Sequence, residues 1–252
     1  MNDLPREYVA ILAPRSAIAG AIIDRLRAKG ARIAGIGRNL EGLGEGPMSW
    51  TATCDLTDFD AVTFNIARAR EELGGLTGIV NCAGSMLLKP AHGTSREDFD
   101  NTIAANLTTA FAAVQAAKPV FMRDGGSVVL VSSAAATLGM GNHEAIAAAK
   151  AGVEGLARSA AATYASSGIR FNVVAPGLVE TPLSQAITKA PSARKISETL
   201  HPMGRLGTPD DIARAVCWLL DPEQSWVTGQ VIGVDGGLGC VQPRPRVSAG
   251  GS

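Results

Sequence analysis

Short apolar runs alternate along the chain with longer segments in which apolar residues recur at helical spacing. Runs at Tyr8–Leu12, Arg32–Ile36, Thr77–Asn81, Ser127–Val131, Ile169–Val174 and Val231–Val234 have the length of buried strands, and a less regular one lies near Ser49–Cys54. Between them, roughly residues 17–29, 58–73, 95–122, 142–166 and 209–220 read as amphipathic or Ala-rich helices. Strands buried on both faces and separated by helices predict a parallel sheet with a helical layer on each side. The expected fold is therefore α/β: one Rossmann-type, doubly wound domain of about seven strands spanning residues 1–240. The Pro- and Gly-rich residues 241–252 read as a flexible tail.

Two helix starts are well marked. Ser95-Arg96-Glu97-Asp98 has the form of a capping box, and Thr208-Pro209-Asp210-Asp211 supplies an N-cap, a first-turn proline and acids that suit the helix dipole. The segment Ser184–Met203 is polar and rich in helix formers, which predicts a mobile lid. Lys189, Arg194 and Lys195 within it read as a solvated helix face.

Composition narrows the function classes. The 252 residues are 46% hydrophobic, enough for one large core, and the 23 basic and 23 acidic residues balance at a pI near 6.8. That balance gives no electrostatic footprint for nucleic acid. No apolar stretch is long enough to span a membrane, and no signal peptide is visible in the first residues. The four cysteines have neither CxxC spacing nor a zinc pattern, so no metal site is expected and a cytoplasmic, reducing setting fits best.

Seven stretches occur in one order. They are "CDLTD" (54–58), "NCAG" (81–84), "ANL" (105–107), "VLVSS" (129–133), "NVVAPGLVETPL" (172–183), "GRLGTPDDIARAVCWLL" (204–220) and "VTGQVIGVDGGL" (227–238). Together they resemble the short-chain dehydrogenase/reductase family, over about residues 6–240. The resemblance implies an NAD(P)-dependent oxidoreductase fold in which a tyrosine is the general acid or base. A lysine four residues later lowers its pKa and holds the ribose. A serine thirteen residues before the tyrosine orients the substrate carbonyl, and an asparagine in the preceding helix supports a proton-relay water. Residue by residue, Lys150, Ser133 and Asn106 match the lysine, serine and asparagine, but Ile146 stands at the tyrosine position. Isoleucine cannot titrate, and general acid–base catalysis is worth roughly 10²- to 10⁴-fold.

The nucleotide loop departs as well. Against the family's T-G-x-x-x-G-x-G, this chain has Leu12-Ala13-Pro14-Arg15-Ser16-Ala17-Ile18-Ala19, with the threonine and all three glycines replaced. Those glycines serve the tight turn, the close approach to pyrophosphate and helix–strand packing. Other positions match the family: Asp55 for the adenine, Asn81, Ala83 and Gly84 along the ribose, and Thr181 for the carboxamide. Gly37 replaces the acid that selects NAD, while Arg38 and Arg15 suit a 2′-phosphate. The expectation is that this chain holds no cofactor strongly, that NADP is favoured over NAD if one binds, and that a partner subunit binds NAD(P).

Three functions stay open on the sequence. The first is a subunit, inactive alone, of a heteromeric hydroxyacyl or hydroxyacyl-CoA dehydrogenase/reductase, with a homologous subunit as its partner in a tetramer. The second is an active NADP-dependent oxidoreductase with His143, three residues before Ile146, as substitute proton donor. The third is a ligand-binding regulatory protein on an enzyme fold. Small residues along 145–162 would let this helix pack closely on a neighbouring subunit, as the resemblance implies.

Overall fold

A computed structural model describes residues 7–41, 43, 48–122 and 124–242. Seven parallel strands form one sheet: β1 (Tyr8–Leu12), β2 (Arg32–Gly37), β3 (Trp50–Thr53), β4 (Gly78–Asn81), β5 (Gly126–Val131), β6 (Ile169–Pro176) and β7 (Val231–Val234). Their order is β3-β2-β1-β4-β5-β6-β7. The winding direction reverses between β1 and β4, where Leu12 pairs with Ile36 on one side and Asn81 on the other. A crevice at the C-terminal ends of the strands beside such a reversal is the ligand position of doubly wound sheets.

Helices α2 (Phe59–Leu73), α4 (Thr109–Phe121) and α5 (Glu144–Tyr164) bury apolar residues against one face. Helices α1 (Ala17–Ala28) and α8 (Pro209–Leu220) cover the other. Both strand faces are therefore dry, which explains why the strands read as continuous apolar runs rather than alternating ones. The marked helix starts form as expected: Ser95 with Asp98, and Thr208 with Asp211, each make a reciprocal capping box.

Three expectations need correction. The helix predicted over residues 95–122 is divided into α3 (Arg96–Ile103), one π-helical turn (Ala104–Thr108) and α4. The π turn carries Asn106 inward, where its side-chain amide donates to Thr102 O at 2.9 Å and Ser85 Oγ at 3.1 Å. The lid segment is helical, as α6 (Gln185–Thr188) and α7 (Pro191–Leu200), but is tethered. Arg194 pairs with Glu180 and Glu198 and is engaged within the fold, whereas Lys189 and Lys195 are exposed as expected, Lys195 lying 3.7 Å from Glu198. His201 anchors the end of α7: it is 3% exposed, its Nε2 accepts from Leu178 N at 3.1 Å, and its Nδ1 lies 2.6 Å from Ser197 O. Of the predicted tail, residues 243–252 lie outside the described residues.

Candidate functional site

The loop leaving β1 turns into α1 through a conformation that its sequence resists. Ala13 has φ 57°, in the left-handed region where an L side chain costs roughly 1–2 kcal/mol. This is the first of the replaced glycine positions. The turn is held by Ala13 N donating to Ile36 O at 2.9 Å and Ser16 N donating to Ala13 O at 3.2 Å. Pro14 packs over β2, so that a Cβ at Gly37 would lie 3.3 Å from its Cδ. Ser16 then caps α1 by accepting from Ala19 N at 3.1 Å.

A cavity of about 380 Å³ opens at the C-terminal ends of β1, β4, β5 and β6. Of the positions singled out by sequence, it gathers Arg15, Ala83, Gly84, Ser133, Ile146, Lys150 and Thr181. It does not gather Arg38, Asp55, Asn81, Asn106 or His143. Further side chains on its wall escaped the sequence reading, among them Cys82, Ser85, Met86 and Ser132. Cys82 stands inside the quoted "NCAG", where the signal was present but was read only for its neighbours.

Lys150 is a strongly perturbed group on the wall. It is 7% exposed, and its Nζ donates to Val131 O at 2.8 Å. Burial lowers its pKa from 10.5 to about 8, against a smaller opposing influence from Cys82. Among the described residues no carboxylate comes within ion-pair distance of Nζ. Desolvation in turn pushes the Cys82 thiol up to about 12. One helical turn before Lys150, Ile146 is 6% exposed and presents only hydrocarbon to the cavity. Ser133 lies at the end of β5 and accepts from Ala135 N at 3.2 Å.

Two residues outside the expected set brace this wall. Ser132 Oγ donates to Glu154 Oε1 at 2.9 Å and lies 3.2 Å from Lys150 O. Glu154 is 4% exposed on the face of α5 that carries Lys150, four residues earlier. An acid in the middle of an Ala-rich helix was the available signal for it.

The remaining positions, inside the cavity (Arg15, Thr181) and outside it, have local partners. Asp55 accepts from Thr57 N and Thr57 Oγ1, each at 2.9 Å. These bonds, the backbone one first, hold its carboxyl below the usual range, with a smaller contribution from Arg38. Asn81 is buried; it donates to Thr109 Oγ1 at 3.2 Å and accepts from Ala83 N at 3.1 Å. Asn106 Oδ1 accepts from Ser85 N at 3.3 Å. His143 sits at the N-cap of α5 with Nδ1 2.7 Å from Gly141 O. Arg15 Nη1 donates to Glu41 O at 2.6 Å. Thr181 caps the turn that leads to α6, accepting from Ser184 N at 3.3 Å.

Comparison with known proteins agrees with this geometry. A family model described as enoyl-(acyl carrier protein) reductase matches residues 12–239. The chain is 38% identical over 200 residues to the inactive 2-(S)-hydroxypropyl-CoM dehydrogenase 2 of Xanthobacter autotrophicus, covering 77% of this chain and 86% of that protein. It is 33% identical over 253 residues to 2-(S)-hydroxypropyl-CoM dehydrogenase 3 of the same organism, covering 94% and 98%. Among solved structures, ligand-free aldohexose dehydrogenase of Thermoplasma acidophilum superimposes with a TM-score of 0.86 at 29% identity, covering 96% of this chain and 98% of that one. No described helix is long and apolar enough to cross a membrane.

Proposed function

The chain belongs to the short-chain dehydrogenase/reductase family, and from that premise we propose that it is a subunit without turnover of its own. It supports an active homologous chain in a hetero-oligomeric, tetrameric oxidoreductase. The observation that carries this reading is Ile146 on the cavity wall one turn before Lys150, where the reaction needs a hydroxyl. A hydride transfer to or from a carbinol carbon must be matched by a proton at its oxygen, and no side chain at this point can move one.

The nucleotide loop supports the same conclusion. An NAD(P) pyrophosphate needs close backbone approach, and the residues present fit it poorly. Ala13 holds the left-handed turn with a methyl group, Ser16 already occupies one α1 amide, and Arg15 is turned to Glu41 O. Any residual binding would favour NADP through Arg15 and Arg38. The partner chain supplies NAD(P) and the proton donor.

Assembly is supported by α5. Ala148, Ala151, Gly155, Ser159 and Ala162 are exposed along one stripe at helical spacing. A Cβ built on Gly155 meets nothing within 4 Å in this chain, so the stripe leaves room for another backbone to approach. Two of the relatives carry the name 2-(S)-hydroxypropyl-CoM dehydrogenase, one of them as inactive. A hydroxyacyl or hydroxyacyl-CoA compound is the corresponding substrate class here. The alternative in which His143 replaces the tyrosine has no support from the cavity, whose wall His143 does not join.

The test is calorimetric titration of the purified chain with NADPH and NADH, followed by turnover assays with secondary alcohols and ketones. Weak or absent binding and no turnover are expected. Turnover by the chain alone would overturn the reading.

A further inference from the structure

A buried amine on a cavity wall has a chemistry of its own once no nucleotide ribose lies against it. We propose that Lys150 is the nucleophile of a covalent carbonyl-binding site, and that the cavity takes an apolar aldehyde or ketone as an imine on Nζ. The inference rests on the reading that dinucleotide does not fill this cavity.

The geometry is specific to this lysine. Its side chain crosses the core to the cavity wall, where Val131 O fixes Nζ through one hydrogen bond at 2.8 Å. No carboxylate among the described residues neutralises the amine or holds its proton by an ion pair. The nearest acid on the same helix face, Glu154, is engaged by Ser132 and by Arg158 at 3.9 Å. A Cβ built on Gly84 would lie 3.5 Å from Nζ and 2.9 Å from Asn106 Oδ1, so at this position backbone rather than a side chain borders the amine. Ile146, Val131, Leu178, Val179 and Met86 supply an apolar part of the wall, beside the polar Ser133, Ser85, Thr181 and Arg15.

These surroundings favour the reactive form. Burial brings Lys150 down to about 8, so at neutral pH it holds on the order of a hundredfold more free amine than an ordinary exposed lysine. The Nζ lone pair attacks the carbonyl carbon and forms the C–N bond, and the π pair moves to oxygen, which takes a proton. The carbinolamine then loses that oxygen as water, with the second amine proton, to leave C=N. No electrons are gained or lost, and one water is released per ligand bound. The same loss of the tyrosine that removes proton transfer leaves hydrocarbon beside the amine, which suits an apolar ligand.

The experiment uses the full chain with hexanal, below one equivalent, and sodium cyanoborohydride, which reduces an imine as it forms. Peptide mapping should place one adduct, hexanal less one oxygen, on Lys150 in preference to the exposed Lys189 and Lys195. Its rate should rise with pH and level off above about 8. The Lys150→Met variant should lose this adduct while labelling elsewhere stays unchanged. Labelling confined to exposed lysines overturns the inference, and the map of the unmodified chain decides this even if the variant fails to fold. Protection of Lys150 by NADPH would leave the inference standing and overturn the proposed lack of nucleotide binding. Labelling unaffected by NADPH supports both.

Discussion

Replacing Lys150 by methionine removes a charge that the fold has to accommodate without a counterion. The folded-state pKa is lowered from 10.5 to about 8 by burial, so the protonated form is worse placed in the folded chain than in the unfolded one. A shift of that size corresponds to about 3 kcal/mol of destabilisation near pH 7, as an order of magnitude. It is fully present below the folded pKa. Between about 8 and 10.5 the unfolded chain binds more protons than the folded one, so stability rises with pH and the penalty disappears. The Nζ bond to Val131 O is lost in the variant at every pH and contributes an offset without much slope. Urea unfolding of both proteins at several pH values isolates the electrostatic part. The stability of the wild-type chain relative to Lys150→Met should increase by about 2 kcal/mol between about pH 7 and pH 9.5. A difference that stays constant across that range would show that Lys150 is not desolvated, and would remove the free amine on which the imine chemistry depends.

Ala13→Gly should relieve the left-handed strain of roughly 1–2 kcal/mol, offset by about 0.4–1 kcal/mol of added freedom in the unfolded chain, for a rise in Tm of at most a few degrees by calorimetry. Gly155→Leu should leave the single chain folded, and more helical by about 0.5–1 kcal/mol, yet abolish assembly in light scattering, since its side chain enters space that is open only in the isolated chain. His201→Leu leaves Leu178 N–H and Ser197 O without their partner and should cost about 1–3 kcal/mol, with faster proteolysis within residues 185–200 as the local readout.

Most of the architecture was legible because it follows from periodicity. Tyr8–Leu12 and Val231–Val234 fall where the apolar runs placed them, and both capping boxes form, since each depends only on residues three apart. The π turn was not legible: Ala104–Thr108 are ordinary helical residues, and what diverts them is the pairing of Asn106 with Ser85, 21 residues away in sequence. The same limit applies to the site. Motif spacing located Ser133, Ile146 and Lys150 on one wall, but the bracing of that wall by Ser132 and Glu154 spans 22 residues and leaves no periodic trace. The attachment of the lid depends on His201 meeting a backbone amide of another loop, which no local pattern announces.

The two departures from the family pattern differ in kind, and the difference bears on how the chain is used. At Ala13 the backbone still follows the left-handed path although the residue that makes that path cheap is gone, because the Ile36 and Ser16 hydrogen bonds hold the β1–α1 connection in place. The path is therefore a property of the sheet, and its cost is carried without evident need for the phosphate that glycine would admit. At Ile146 nothing is strained: the side chain is buried on a well-formed helix, and only the hydroxyl is missing. Replacement of the donor by a residue that fits, beside a lysine that stays buried, gives a cavity that is intact in shape and altered in reactivity. A cavity of that kind can still close around an apolar molecule while the exposed stripe of α5 remains open to another chain. Occupancy of the one can then be separated experimentally from assembly through the other, since Lys150 and Gly155 lie on opposite sides of the same helix, one buried and one exposed.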